Sequence, residues 1–407
     1  MLTLSRFQTL RSLRHRNFRL LVIGALLSNA GDFMQNVAQS WLVWHLTRSA
    51  FLLGVVGFFD SIPRLLLGAL GGVITDRFDR RRLLILTQTL GMIQAFVYWL
   101  AVYFNFILYW HILVLACVLG MVNTLNQTAR QSLVNSLVPR EDLSNAIALH
   151  ASVFNLSRVL GPSLGGLVIA TVGIAGCFFL NAVSFLALIF TLVLMELPAW
   201  DGTSGRVGLW NEIKEGYRYL RGNSQMFAIV MLSYVVATIG APYATFVPVF
   251  ATNILRVGPL GFGLLMSAPG IGAIAAALGL ASLGNVQPNP FWVCTLVLGY
   301  GLFLGLFAIS NFFVLSLILL VSVGFCFIAF RASINTSLQS LTPPHLLGRV
   351  LSFFFMDRGL WSIGGLMLGG AASMIGIKWT VEIAAVICAC AAAIVLFMFS
   401  KARVTPA

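Results

Sequence analysis

Eight ionisable side chains interrupt segments that are otherwise apolar: Asp32, Asp60, Arg64, Arg130, Arg158, Arg331, Asp357 and Arg358. A charge inside hydrocarbon costs several kcal/mol, so each needs a partner or a wet cavity, and each is a candidate for proton binding or solute recognition. Their neighbours are not random. Asn29, Asp32, Asn36 and Gln39 recur at three and four residues, as do Asn123, Asn126, Gln127 and Arg130, and Arg331, Asn335 and Gln339 follow at intervals of four. Each set makes one polar stripe on a helix.

Asp32, near the middle of its segment, is the first candidate for a carboxylate that takes up and releases a proton according to the side it faces; a fixed pair with Arg130 or Arg158 is the structural alternative. Asp357 is the second candidate. It is adjacent to Arg358 and cannot face it on a helix, so it is expected to look toward Arg331. Asp60 and Arg64, four apart, are expected to satisfy each other. Asn155, Tyr234 and Trp361 join the stripes as cavity candidates, with Phe327, Phe330, Phe355 and Tyr243 as further aromatic walls for an amphipathic solute. In a chain with 32 phenylalanines, packing explains such rings equally well. Glu382 is expected to be interfacial and solvated.

The elements that hold these residues follow from composition. The 407 residues are 59% hydrophobic and 9% charged, against roughly 25% charged in a soluble chain. Backbone groups in hydrocarbon must bond internally, and long unbroken apolar runs exclude the alternation of a barrel, so the class is all-α. Runs of about 20 apolar residues place spans near 20–44, 51–74, 83–106, 110–133, 147–171, 175–195, 226–250, 258–283, 290–310, 312–337, 350–373 and 380–400, twelve in all. The basic N-terminus precedes an apolar stretch too long for a signal-peptide core, which is expected to remain as the first span.

One long polar connection divides the chain into residues 1–196, a linker 197–225 and residues 226–407, with WNEIKEGYRYLR in the linker as a short amphipathic surface helix. Of the 25 lysines and arginines, 17 fall in connections on the side of the N-terminus and three on the other (Arg48, Arg256, Lys378). The positive-inside rule then places both termini in the cytoplasm. The halves are also copies. A shift of 204 pairs Pro139 with Pro343, Leu143 with Leu347, Gly161 with Gly365, Gly165 with Gly369 and Gly166 with Gly370, and a shift of 209 pairs Gly54 with Gly263. Two repeats around a central site suit alternating access.

The connection after the second span, GGVITDRFDRRRLL, resembles the signature of the major facilitator superfamily at Gly72, Asp76, Arg77, Arg80 and Arg81. SRVLGPSLGG in the fifth span resembles the antiporter motif of its exporters at Gly161, Pro162, Gly165 and Gly166. The opening NFRLLVIGALLSNAGDFMQNVAQSWLVWHLT and SLVPREDLSNAIAL are similar to the enterobactin-exporter and multidrug-efflux branch, so the resemblance covers nearly the whole chain. Asp79 and Ser157 depart from it, each standing where the family has glycine. The resemblance implies the major facilitator fold, two pseudo-symmetric six-helix bundles whose spans one, four, seven and ten line the cavity. It also implies that the first motif acts as an inner gate, whose arginines can meet anionic headgroups. In the second half Asn285, Val286 and Asn289 stand in the corresponding turn, so that gate is single. The glycines of the second motif allow close helix approach; the step from packing to antiport rests on the resemblance.

The net charge of +13 has no basic stripe with interleaved aromatics, so nucleic acid is not expected. The six cysteines lie in apolar segments without ligand spacing, and no nucleotide loop, serine elbow or paired zinc ligands appear, so no metal and no cofactor are expected. The expected function is export of small amphipathic molecules, siderophore- or drug-like, by proton antiport across the inner membrane. The expected partners are the lipid bilayer, the small-molecule substrate and protons, and the chain is expected to be a monomer. Uptake of a nutrient or facilitated passage by the same fold is the first alternative. A membrane-embedded enzyme or sensor is the second.

Overall fold

The computed structural model describes residues 8–196, 217–282 and 289–404, whose regular structure is helical throughout. A short 3₁₀ segment, Gln8–Arg14, leads into α1 (Arg16–Thr47), α2 (Ala50–Arg77), α3 (Arg80–Tyr103), α4 (Tyr109–Leu137), α5 (Leu143–Thr171) and α6 (Ile174–Leu194). The second half holds α7 (Ser224–Ile254), α8 (Pro259–Ser282), α9 (Pro290–Ile309), α10 (Phe313–Leu341), α11 (Pro344–Phe355), α12 (Asp357–Ile375) and α13 (Ile377–Val404).

Among the described residues nine helices, α3 to α10 and α13, are long and apolar enough to cross a membrane. With 32 residues α1 has the length as well, but Asn29, Asp32, Gln35, Asn36 and Gln39 lower its hydropathy. The span expected at 350–373 is interrupted. Met356 separates α11 from α12, its N–H bonding Ser352 and Phe353 and its carbonyl accepting from Gly359 N at 3.0 Å. Asp357 therefore opens α12 instead of sitting inside one continuous helix, and a carboxylate is favoured at a helix N-terminus. Most of the expected linker helix, residues 210–216, lies outside the described residues, as do Asn285 and Val286.

Prolines shape α7. Wide turns at Val236–Gly240 and Phe250–Ile254 flank Pro242 and Pro248, and proline removes the N–H that a regular helix would bond to the carbonyl four residues back. Pro242 frees the carbonyl of Thr238, and Gly364 of α12 lies against that oxygen so closely that a Cβ would collide with it.

The internal repeat is written into the backbone. Arg48 after α1 and Arg256 after α7 both take left-handed conformations, with φ of 50° and 52°, and Gly173 before α6 and Gly376 before α13 have φ of 96° and 84°. An arginine in that conformation costs about 1 kcal/mol or more; at the end of a helix its charge faces the negative end of the dipole.

Two compact units emerge. Unit 1 joins α1, α2 from Phe59, α3 to α6, and Gly258–Ser267 of α8; unit 2 joins Ser49–Phe58, α7, α8 from Ala268, and α9 to α13. The division differs from the sequence halves at these two exchanged segments, and glycine pairs explain why. In unit 1 a Cβ on Gly166 would lie 2.9 Å from Gly263 Cα, and in unit 2 a Cβ on Gly54 would press on the backbone of Gly365. Small residues let backbones meet at these crossings. Inside unit 1, α1 packs on α5 and α6, and α3 on α4 and α6; inside unit 2, α9 packs on α10 and α13.

Candidate functional site

In unit 1 the polar residues of α1 meet those of the helices around it. Gly31 makes this possible, because a Cβ there would run into Ser184 and Asn181 of α6. Asn181 Nδ2 donates to Gln35 Oε1 at 2.8 Å, Gln35 Nε2 to Gln94 Oε1 of α3 at 3.0 Å, and Gln94 Nε2 to the Leu115 carbonyl of α4 at 3.1 Å. Four helices are joined by one buried amide chain. Amides in hydrocarbon stay only where they are satisfied, so such a chain fixes rotation and register of its helices.

Asp32 stands beside this chain, one turn from Asn29. Its Oδ1 is buried without a hydrogen-bond partner. Arg130 of α4 is the cation that acts on it electrostatically, yet the two form no ion pair. Arg130 instead donates Nη1 to Asn29 Oδ1 at 2.6 Å. Its charge also acts on His150 of α5, whose Nδ1 is buried without a partner. The arrangement can therefore hold a proton on Asp32 or the charge of Arg130 near it, without a fixed bond between the two.

Other candidates of the first half divide. Gln39 accepts from Tyr98 OH at 3.2 Å, and Asn126 donates to Thr87 Oγ1 at 3.4 Å. Asn123 and Arg158 are partly buried, whereas Asn36 and Gln127 are exposed and Asn155 bonds back to the Ala151 carbonyl of its own helix. Asp60 and Arg64 pair at 3.2 Å.

Unit 2 holds its charges differently. Arg331 of α10 bonds both oxygens of Asp357, Nη1 to Oδ2 and, at 3.3 Å, Nη2 to Oδ1. The guanidinium Cζ also lies 4.9 Å from the ring centre of Phe354 and 5.8 Å from that of Phe327. Trp361 meets Phe327 edge to face at 6.4 Å, and Tyr234 OH donates to the Phe353 carbonyl at 2.7 Å. Asn335, one turn beyond Arg331, keeps a buried Oδ1 without a partner. The side chain of Arg358 lies outside the described residues.

At the first motif the side chains of Gly72, Asp76 and Arg77 also lie outside the described residues. Asp79 caps α3 by accepting from Arg81 N at 2.8 Å and Arg82 N at 3.3 Å, which aims the arginine run, and Arg81 Nη2 donates to the Val193 carbonyl closing α6 at 2.6 Å. Arg80 is partly buried. In the second motif Gly161 and Gly165 lie on α1, against Ala30, Phe33 and Met34, and Gly166 faces Gly263. Pro162 is buried, and Ser157 donates to the Val153 carbonyl at 3.0 Å and reaches the Leu26 carbonyl of α1 at 3.2 Å.

A family model described as transmembrane secretion effector, of the major facilitator superfamily, matches residues 7–405. The chain belongs to this family. As a transmembrane secretion effector it is a multi-pass membrane transporter and not an enzyme. It is 24% identical over 92% of its length, and 94% of the relative's, to the staphyloferrin A transporter of Staphylococcus aureus. It is 26% identical to the multidrug efflux pump Tap of Mycolicibacterium fortuitum, covering 86% of this chain and 88% of that one. The enterobactin exporter EntS of Shigella boydii is also 26% identical, over 88% of this chain and 86% of its own. In fold it is similar to a bacterial homologue of the human lysosomal transporter Spinster, crystallised inward-facing and unoccupied, with a TM-score of 0.75 at 12% identity over 94% of this chain and 96% of that one.

Sequence reasoning missed several parts of this transporter's polar interior. Gln35, Gln94 and Asn181 were each a lone amide in an apolar segment, and the cost of burying an amide was the available signal. Glu382 is a correction: one of its carboxylate oxygens, Oε2, is buried, and the pair of oxygens faces Gly305 of α9, whose missing side chain makes room for it.

Proposed function

We propose that this transporter exports small amphipathic molecules, siderophore- or drug-like, by proton antiport. A proton binds Asp32 from the periplasmic side and weakens the hold on substrate; it leaves to the cytoplasm once residues 1–196 and 226–407, joined by the linker 197–225, have rocked. In this reading both termini are cytoplasmic, the membrane is the inner membrane, the chain works as a monomer, and the gradient is the energy source.

The observation that carries the proposal is the state of Asp32. A carboxylate with a buried unpaired oxygen, near an arginine that is held by Asn29 instead, is poised to exchange a proton for a rearranged contact. The similarity to Tap, a multidrug efflux pump, and to the enterobactin exporter supports the outward direction.

The test is transport in inverted vesicles under an acid-inside gradient, with a panel of amphipathic solutes, comparing the wild type with Asp32→Asn. Export predicts gradient-dependent accumulation that the variant loses. Accumulation retained by Asp32→Asn moves the coupling role to Asp357, and a solute flux of opposite sign replaces export with uptake.

A further inference from the structure

We propose that Arg331 is the reader of a carboxylate on the transported molecule, so that the substrates are anionic amphipaths. The inference rests on the transport reading above, and it concerns the charge of the cargo and the residue that selects it.

The asymmetry of the Arg331–Asp357 pair decides the sign. The Asp357 side chain is 0% exposed, whereas that of Arg331 is 18% exposed. An incoming solute therefore meets the guanidinium and not the carboxylate. A cation would meet like charge; an anion would meet the guanidinium N–H groups that Asp357 does not take, since the carboxylate uses one edge of a group with five N–H donors. Asp357 also keeps the arginine charge compensated when no solute is bound.

The surroundings suit such a ligand. A guanidinium is weakly hydrated and stacks on rings, and Phe354 and Phe327 hold this one from two directions. Phe327 continues into Trp361, an aromatic wall for the apolar body of the ligand. On the Arg331 face of α10, the buried Oδ1 of Asn335 is an unmet acceptor that a hydroxyl or N–H of the ligand can satisfy. The site thus offers a cation, an acceptor and a ring wall within two turns of α10 and the start of α12. Tyr234 is spent on the Phe353 carbonyl and positions α11 instead of touching the ligand.

The experiment uses the full chain in nanodiscs and three fluorescent probes with one aromatic body: pyrenebutyrate, its uncharged amide, and the corresponding pyrenebutylamine. Binding of the carboxylate is expected to be about tenfold tighter than that of the amide or the amine. Arg331→Lys keeps the charge but loses the fork, and most of the preference is expected to go. Arg331→Gln with Asp357→Asn removes both charges, so the pair leaves nothing buried and uncompensated, and the preference is expected to vanish while the amide still binds. Equal affinity for the three probes, binding of none, or a carboxylate preference that survives the double substitution overturns the inference. Transport of the same probes by proteoliposomes judges the underlying reading separately. Gradient-driven movement of all three probes alike would leave export standing and sink the anion selectivity, whereas selective binding with no movement under any gradient would sink export and keep the site.

Discussion

Asp32 and Asp357 are the two carboxylates best placed for chemistry in the two units, and their surroundings differ. Asp32 has an arginine in electrostatic reach, but that arginine is bound to an amide, and one carboxylate oxygen is left unpaired. Asp357 is fully buried on a two-point contact with Arg331. The same contrast recurs in reverse at two buried tyrosines, one on α3 and one on α9. Tyr98 of α3 stacks on Phe178 at 4.5 Å and spends its hydroxyl on Gln39 and the Ile112 carbonyl, while Tyr300 of α9, also fully buried, leaves its hydroxyl without a partner. A duplicated scaffold therefore carries unlike polar interiors. The first unit joins its helices through amides and leaves one oxygen of its acid without a partner; the second pairs its acid with an arginine that lies beside two rings.

The sharpest way to break this comparison is to remove Arg331. Arg331→Ala takes the two-point partner from a fully buried Asp357 and is expected to destabilise by about 3–5 kcal/mol, read as a fall in the thermal unfolding midpoint in detergent. Adding Asp357→Asn is expected to recover most of it. A small loss from Arg331→Ala alone would mean that the pair is not holding unit 2 together. Next is Asp32→Asn, where gradient-driven transport is expected to drop about a hundredfold, the scale of losing a proton-transfer group, with the unfolding midpoint unchanged or raised. A drop in stability comparable to that of Arg331→Ala would make the two acids alike and end the contrast.

Smaller effects test the packing beneath each site. Gly364→Ala meets the Thr238 carbonyl and Gly31→Ala meets Ser184 and Asn181, so each is expected to cost about 1–3 kcal/mol, whereas Gly370→Ala has nothing within 4 Å and is expected to be neutral. The smallest effect concerns the two tyrosines. Tyr98→Phe is expected to cost about 1 kcal/mol, and Tyr300→Phe to cost nothing or to stabilise, because it removes an unmet polar atom. Equal losses at both positions would show that Tyr300 has a partner in the membrane.

Much of this was legible in the residues. Hydrocarbon admits only a self-satisfied backbone, so runs of apolar residues by themselves fixed the all-helical class, and the rarity of charges inside such runs singled out Asp32, Arg130, Arg331 and Asp357. Repeated prolines and glycines disclosed the duplication for the same reason, since each marks a place where backbone sterics leave little choice. Pairing was a different matter. Side chains of equal polarity and spacing can bond along their own helix, across to another, or not at all, and only the rotation of each helix about its axis decides. That rotation is set by close approaches such as Gly31 on α6 and Gly364 on α7, which join residues more than a hundred positions apart. Tertiary structure alone therefore decided that Asn29 takes Arg130 while Oδ1 of Asp32 stays without a partner, that Asn155 turns back on its own helix, and that Arg331 is held by Asp357 beside two rings.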